Sequence, residues 1–151
     1  MESQIKAFDK AIAEQMALIP NTLTSVNGIG PVYSAGIITE ISDINRFPNQ
    51  ASLAKYAGLV WSQHQSGDFE AQNTRMIPSG IRYLKYYLCE ATMSMSLVRC
   101  GAEYRSFYHR KYKEVNKYQH KRALALTARK FVRLVFRLLK DNCLYKAPES
   151  K

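Results

Sequence analysis

The stretch that most constrains the fold is the run from about His120 to Cys143, because its two sides demand opposite surroundings. At 100° per residue, Leu124, Ala128, Phe131, Val135 and Leu138 fall along one side of a helix. Arg122, Arg129, Arg133, Arg137 and Lys140 gather along the other. One side must be covered by other elements of the chain, and the other forms an arginine-rich ridge open to water or to an anionic partner. The chain therefore has to supply apolar faces that fit a long helix from one direction only.

The 151 residues suit one domain large enough to bury a core, and 46% hydrophobic residues is ordinary for a globular protein. No run approaches the roughly 18 apolar residues of a membrane span. The opening Met-Glu-Ser-Gln-Ile-Lys lacks the basic-then-apolar order of a signal peptide. Cys89, Cys100 and Cys143 have no metal-ligand spacing and read as the reduced thiols of an intracellular protein. The charge is uneven. Residues 1–98 hold seven Lys/Arg against eight Asp/Glu, and residues 99–151 hold fifteen against four, so the whole net charge of +10 comes from the last third. Such a balance implies an anionic partner, either nucleic acid or a membrane surface, and backbone neutralisation favours nucleic acid.

Taken in order, residues 2–18 carry Ile5, Phe8, Ile12 and Met16 at helical spacing, and read as the end of a longer amphipathic helix. Pro20-Asn21 ends it, and Thr22 or Thr24 is placed to cap a short helix leading into Val26-Asn-Gly28-Ile-Gly30-Pro31. Two glycines around one aliphatic residue allow a tight turn, and Pro31 suits the first turn of a helix, where its missing N–H has no partner to lose. The turn presents amide N–H groups at a helix N-terminus, which favours a phosphate oxygen and gives Gly28 and Gly30 a DNA-backbone role. This is the arrangement of a helix-hairpin-helix turn, with its second helix running from about Pro31 to Ile41. Phe47 reads as a buried anchor, and Asn49 or Gln50 opens a short helix that Gly58 stops. Residues 59–77 lose the helical period, and Val60-Trp61 and Met76-Ile77 flank a polar centre that suits a short hairpin or a loop. Ser79 is placed to cap the next helix, whose stripe is Leu84, Leu88, Ala91, Met95 and Val98. After Gly101, aromatics alternate with bases through Tyr118, and the tail from Lys146 reads as frayed. The expected fold class is all-α, with at most one short β-hairpin.

Few residues suggest chemistry by type and spacing. His64, His109 and His120 are scattered, and no carboxylate pair has the spacing of a two-metal site. Tyr104, Tyr108, Tyr112 and Tyr118 either stack on unpaired bases or, as is more common, half-bury their rings on an amphipathic helix. Ser66, beside Gly67 in the irregular polar loop, is a turn residue by default, because a nucleophilic serine needs an activating partner that no motif here supplies.

Five ordered blocks change the weight of that serine. Val26-Asn-Gly-Ile-Gly-Pro31, Ile41-Ser-Asp-Ile-Asn-Arg-Phe47, Leu53-Ala-Lys-Tyr-Ala-Gly-Leu59, Ser66-Gly67 and Ser79-Gly-Ile-Arg-Tyr-Leu84 together resemble the C-terminal domain of the DEDD-type insertion-sequence transposases, a group that includes the Piv-type DNA invertases. The resemblance covers about residues 1–140. It implies a helical domain acting with an N-terminal RuvC-like nuclease domain that carries Mg2+-binding carboxylates, which is absent from this chain; no cofactor is expected in the chain itself. It implies that Ser66 is the nucleophile of a covalent serine–DNA link, with Arg75 and Arg82 joining Arg122, Arg129, Arg133, Arg137 and Lys140 as DNA contacts. It further implies a homo-oligomer in the full-length protein, a guide RNA in some members, no membrane partner, and a bacterial cytoplasmic, nucleoid-associated setting. Two departures stand out: Asp68-Phe69-Glu70 follows the serine where the family tends to carry Gly or Lys and several bases, and Trp61-Ser62-Gln63 follows the Gly-Leu block where an arginine is usual.

The expectation is thus the DNA-binding and strand-transfer domain of a transposase. The alternative is a non-catalytic helix-hairpin-helix module, which agrees on binding and differs on whether a DNA adduct forms. A basic protein on anionic membranes accounts for the ridge and leaves the glycine turn unexplained.

Overall fold

The computed structural model describes residues 1–61, 76, 80–97 and 101–147, together with the backbone of 65–66 and 69–70. The long amphipathic run is a helix, α6 (Gln119–Asp141), and the other elements are arranged by how they cover it. Before it come α1 (Glu2–Leu18), α2 (Pro31–Ile41), α3 (Gln50–Tyr56), α4 (Arg82–Leu97) and α5 (Ala102–Lys113). Two single-turn 3₁₀ segments, Leu23–Ser25 and Ile44–Arg46, flank α2. A two-stranded antiparallel hairpin, β1 (Gln65–Ser66) and β2 (Phe69–Glu70), lies between α3 and α4. The domain is all-α with one short hairpin.

Helix α6 packs against α5, α4 and α3, so its buried arc is wider than a one-sided stripe. Phe131, Val135 and Leu138 are buried as their spacing requires, but so are Ala123, Ala125, Thr127 and Val132, while Leu124 is only half-buried. The buried Thr127 hydroxyl is satisfied by donating to the Ala123 carbonyl one turn back (2.7 Å). Opposite lie Leu84, Leu88, Ala91 and Met95 of α4, and Ile37 and Ile41 of α2 complete the layer. Leu53 and Ala54 close it from α3, whose first turn is capped by the Asn49 side chain accepting from the Ser52 N–H (2.9 Å). Phe47 is buried as an anchor against Tyr56, with ring centroids 5.1 Å apart.

Two local expectations change, those for the first 3₁₀ turn and for α1. Neither Thr22 nor Thr24 caps the first 3₁₀ turn: Asn21 Oδ1 accepts the Thr24 N–H (3.3 Å), and the Thr22 hydroxyl donates to the Leu138 carbonyl of α6 (2.9 Å). Ser79, expected to cap α4, lies outside the described residues; the Lys85 N–H donates to the carbonyl of Ile81 just before the helix (3.1 Å). Helix α1 has the expected bounds but buries only its last turns: Met16 is buried and Ile12 half-buried, whereas Ile5 and Phe8 are 55% and 70% exposed.

Phe131 is fully buried at the centre of this layer, edge-on to Tyr104 at 6.2 Å. Phe131→Ala is expected to cost about 3–5 kcal/mol in urea unfolding, while Arg133→Ala on the opposite side stays within about 0.5 kcal/mol. A Phe131→Ala loss below about 1 kcal/mol would show that the core does not depend on this ring.

Candidate nucleic-acid interface

The glycine turn is built from its core contacts outward. Val26 and Ile29 are buried, and the Ile29 N–H donates to the Val26 carbonyl (3.0 Å), which folds the chain tightly between them. Gly28 takes a φ of 92°, a left-handed conformation that favours glycine, and its carbonyl accepts from the Ser94 hydroxyl of α4 (2.6 Å). Gly30 is the extended N-cap of α2, and nothing lies within 4 Å of where a Cβ would stand, so its outer side is open. Pro31 has no N–H and the first intrahelical bond is Ser34 N–H to Gly30 C=O (3.1 Å), which leaves the Val32 and Tyr33 N–H groups at the helix mouth. The element before the turn is one 3₁₀ turn, not an α-helix, because Asn21 and Thr22 spend their side chains on the turn's start and on α6.

On α6 the ridge divides. Arg133, Arg137 and Lys140 are exposed. Arg137 lies 4.0 Å from Asp141, and Lys140 donates to Asn45 Oδ1 (2.9 Å). Arg129 is only half-exposed: its guanidinium reaches the Gln50 carbonyl at the start of α3 (3.4 Å), and burial together with neighbouring Arg133 lowers its pKa below the usual arginine value. Arg122 is held in the α5–α6 connection by Glu114 (3.0 Å) and the Lys111 carbonyl (3.2 Å). The ridge as read from spacing thus reduces to an outer strip of Arg133, Arg137 and Lys140, with Arg129 as its inner support. One cation that the spacing missed joins the strip's edge. Arg46, next to Asn45, is exposed and lies 4.8 Å over the Tyr56 ring. The signal for it was the adjacent Arg46-Phe47 pair.

The other predicted residues are spread along α4. Its C-terminal part meets the glycine turn through Ser94, whereas exposed Arg82 starts the helix about 18 Å away at 1.5 Å per residue. Beside Arg82, the chain just before α4 meets the end of α3 in a backbone contact of two glycines: Gly80 has a φ of 101°, and a Cβ there would meet the Gly58 nitrogen at 2.2 Å. The Ile81 N–H donates to the Tyr56 carbonyl (2.8 Å), and Trp61 bridges Met76 just beyond. In the hairpin Gln65 pairs with Glu70 and Ser66 with Phe69. Ser62, His64, Gly67, Asp68 and Arg75 lie outside the described residues. Among the described residues no three His, Cys, Asp or Glu side chains gather to hold a metal ion, and no helix is long and apolar enough to cross a membrane. Burial pushes the Cys89 thiol up to about 11, with a smaller opposing effect from Lys85, which leaves it unreactive at neutral pH.

Residues 21–109, more than half of the chain, match the model of the Transposase IS116/IS110/IS902 family. The match begins at the turn before Gly28 and runs through the hairpin, α4 and part of α5, and leaves α6 outside it. The chain is also 29% identical over 150 residues to the insertion element IS110 uncharacterized 43.6 kDa protein of Streptomyces coelicolor. That alignment covers 97% of this chain and 34% of the Streptomyces protein, so the chain spans about a third of that relative's length.

The Glu114 bridge has a pH signature. Hydrogen bonds from Lys111 and Arg122 hold its carboxyl below the ordinary glutamate value. A carboxyl whose pKa is lower folded than unfolded stabilises above its unfolded value and loses that contribution as pH falls through the folded value. Melting temperatures of wild type and Glu114→Gln are expected to differ at neutral pH and to converge through the acidic carboxylate range. A gap that stays constant on acidification would assign Glu114 no ionic role.

Proposed function

The chain belongs to the Transposase IS116/IS110/IS902 family, and from that premise we propose that it is the DNA-binding and strand-transfer part of an insertion-sequence transposase. The observation that carries the binding role is the exposed strip Arg133, Arg137 and Lys140, standing on a helix whose other sides are covered by α3, α4 and α5. Cations fixed on a rigid helix neutralise phosphates without reading bases, and each contact releases condensed counterions. The open N-terminus of α2 at Gly30 adds backbone N–H donors suited to a phosphate oxygen.

Ser66 is the proposed nucleophile. Its Oγ forms a bond to the phosphorus of a DNA phosphodiester as the bond from phosphorus to the leaving sugar oxygen breaks. The serine proton passes to a base, and the leaving oxygen takes up a proton. The resulting serine–phosphate ester retains an ester bond, so a DNA hydroxyl can later displace the serine and rejoin strands without an energy source. The hairpin supports this role: Ser66 pairs with Phe69 in a two-stranded element between α3 and α4, and the backbones that flank it meet at Gly58 and Gly80. The base and any Mg2+ are assigned to the RuvC-like domain that the family resemblance implies. Homo-oligomerisation and an RNA guide are likewise properties proposed for the complete transposase. Alone, the chain binds DNA and does not cut it.

Fluorescence anisotropy with a short duplex should show affinity falling steeply as salt rises, and Arg133→Ala should reduce the slope of log K against log salt by about 0.9. A flat salt dependence would remove the phosphate strip from the reading. In the full-length transposase, Ser66→Ala should abolish the covalent protein–DNA adduct on denaturing gels. An undiminished adduct would leave a non-catalytic binding module as the role of this domain.

A further inference from the structure

The structure sorts the aromatic residues that alternate with bases between Tyr104 and Tyr118, and one of them has no structural task. Tyr104 is 6% exposed and packs on Phe131. The Tyr108 hydroxyl lies 2.7 Å from His120 Nδ1, and its ring stands 6.0 Å from that of Tyr112. Burial and the neighbouring Tyr112 raise the Tyr108 phenol, which keeps it protonated as a partner for the imidazole. The Tyr112 carbonyl accepts from the Gln119 side chain (3.2 Å), which ties the two helices together. Tyr118, between those ties, is 81% exposed and takes a left-handed φ of 54°. That conformation is strained for a residue with a Cβ, and glycine would avoid it. The Tyr118 ring repays none of this through packing.

We propose that the corner between α5 and α6 is a binding site for an unpaired nucleotide, with Tyr118 as the stacking platform and Lys117 and Lys121 as phosphate contacts. The charge around the ring supports a nucleic-acid occupant. From Tyr104 to Lys140 the sequence holds one acidic residue, Glu114, and that carboxylate is engaged by Lys111 and Arg122. Lys113, Lys117 and Lys121 are exposed and have no carboxylate partner among the described residues. A duplex would use these lysines and leave the ring idle, because its base faces are stacked on one another. A single strand uses both, since every unpaired base offers a face to an aromatic ring while its backbone follows the charge. The chemistry is shared by single-stranded DNA and single-stranded RNA. The site rests on the nucleic-acid reading above and adds to it a second, strand-selective surface apart from the Arg133–Lys140 strip.

The test compares wild type with Tyr118→Gly and Tyr118→Trp in binding to short homopolymeric single-stranded DNA, the matching RNA, and a duplex. Glycine fits the left-handed backbone, so Tyr118→Gly removes the ring without unfolding the corner, as circular dichroism would verify. Tyr118→Gly should weaken single-strand binding on the order of ten-fold and leave duplex affinity within about two-fold, and Tyr118→Trp should restore single-strand binding. The salt slope should be unchanged in Tyr118→Gly, because stacking releases no counterions, and shallower in Lys121→Gln. The strand that loses more affinity, DNA or RNA, identifies the source of the nucleotide. Single-strand binding that is indifferent to Tyr118→Gly, or that falls no more than duplex binding does, overturns the site. If duplex binding then remains salt-dependent, the broader reading stands; a wild-type chain that binds neither form defeats both.

Discussion

The burial of α6 around Phe131 is the interaction on which the rest of this molecule depends. A one-sided stripe needs one neighbour, but α6 has three, and its buried arc extends through Ala123, Ala125, Thr127 and Val132. With three sides covered, the remaining side of α6 is basic and faces solvent. The basic strip is therefore a consequence of how the core closes, and its rigidity comes from the same packing. Long-range polar ties secure the far end of the helix: Thr22 Oγ1 to the Leu138 carbonyl, and the Tyr145 N–H to Ser25 Oγ (2.9 Å).

These ties also place the glycine turn. The Thr22 contact joins the C-terminal part of α6 to the segment that leads directly into that turn, so the basic strip and the turn share one connected piece of structure. The chain that carries the hairpin joins α4 at its other end, where Gly58 meets Gly80, so the glycine turn and that junction lie at different parts of one helix. The family match covers the glycine turn, the hairpin and α4 but not α6, so the turn and hairpin carry the family's pattern while the basic strip is an observation on this chain.

Much of the helical framework was legible because its signals are local. Gly30-Pro31 and the apolar run after it set α2 at Pro31–Ile41, and Asn49 opened α3 as its capping chemistry requires. The loss of the helical period between Trp61 and Met76 left a short hairpin or a loop open, and the structure places the hairpin β1–β2 there. What stayed hidden is non-local. No spacing rule sends Thr22 to Leu138, Arg129 to Gln50 or Arg122 to Glu114, although these pairings decide which ridge cations face solvent. Nor does any rule bring Gly58 against Gly80, since each glycine alone reads as an ordinary helix stop or start. Ser66 is a separate case: periodicity and charge never distinguished it from a turn serine, and its weight came from the order of blocks around it.

Backbone chemical-shift perturbation of the isotopically labelled chain with a short DNA duplex tests the central claim most directly. If the uncovered side of α6 is the binding face, the largest shifts fall on Arg133, Arg137 and Lys140, with Gly30, Val32 and Tyr33 at the mouth of α2 responding in the same titration. Shifts concentrated on α1, or on the α2–α4 packing surface with the α6 strip silent, would contradict it.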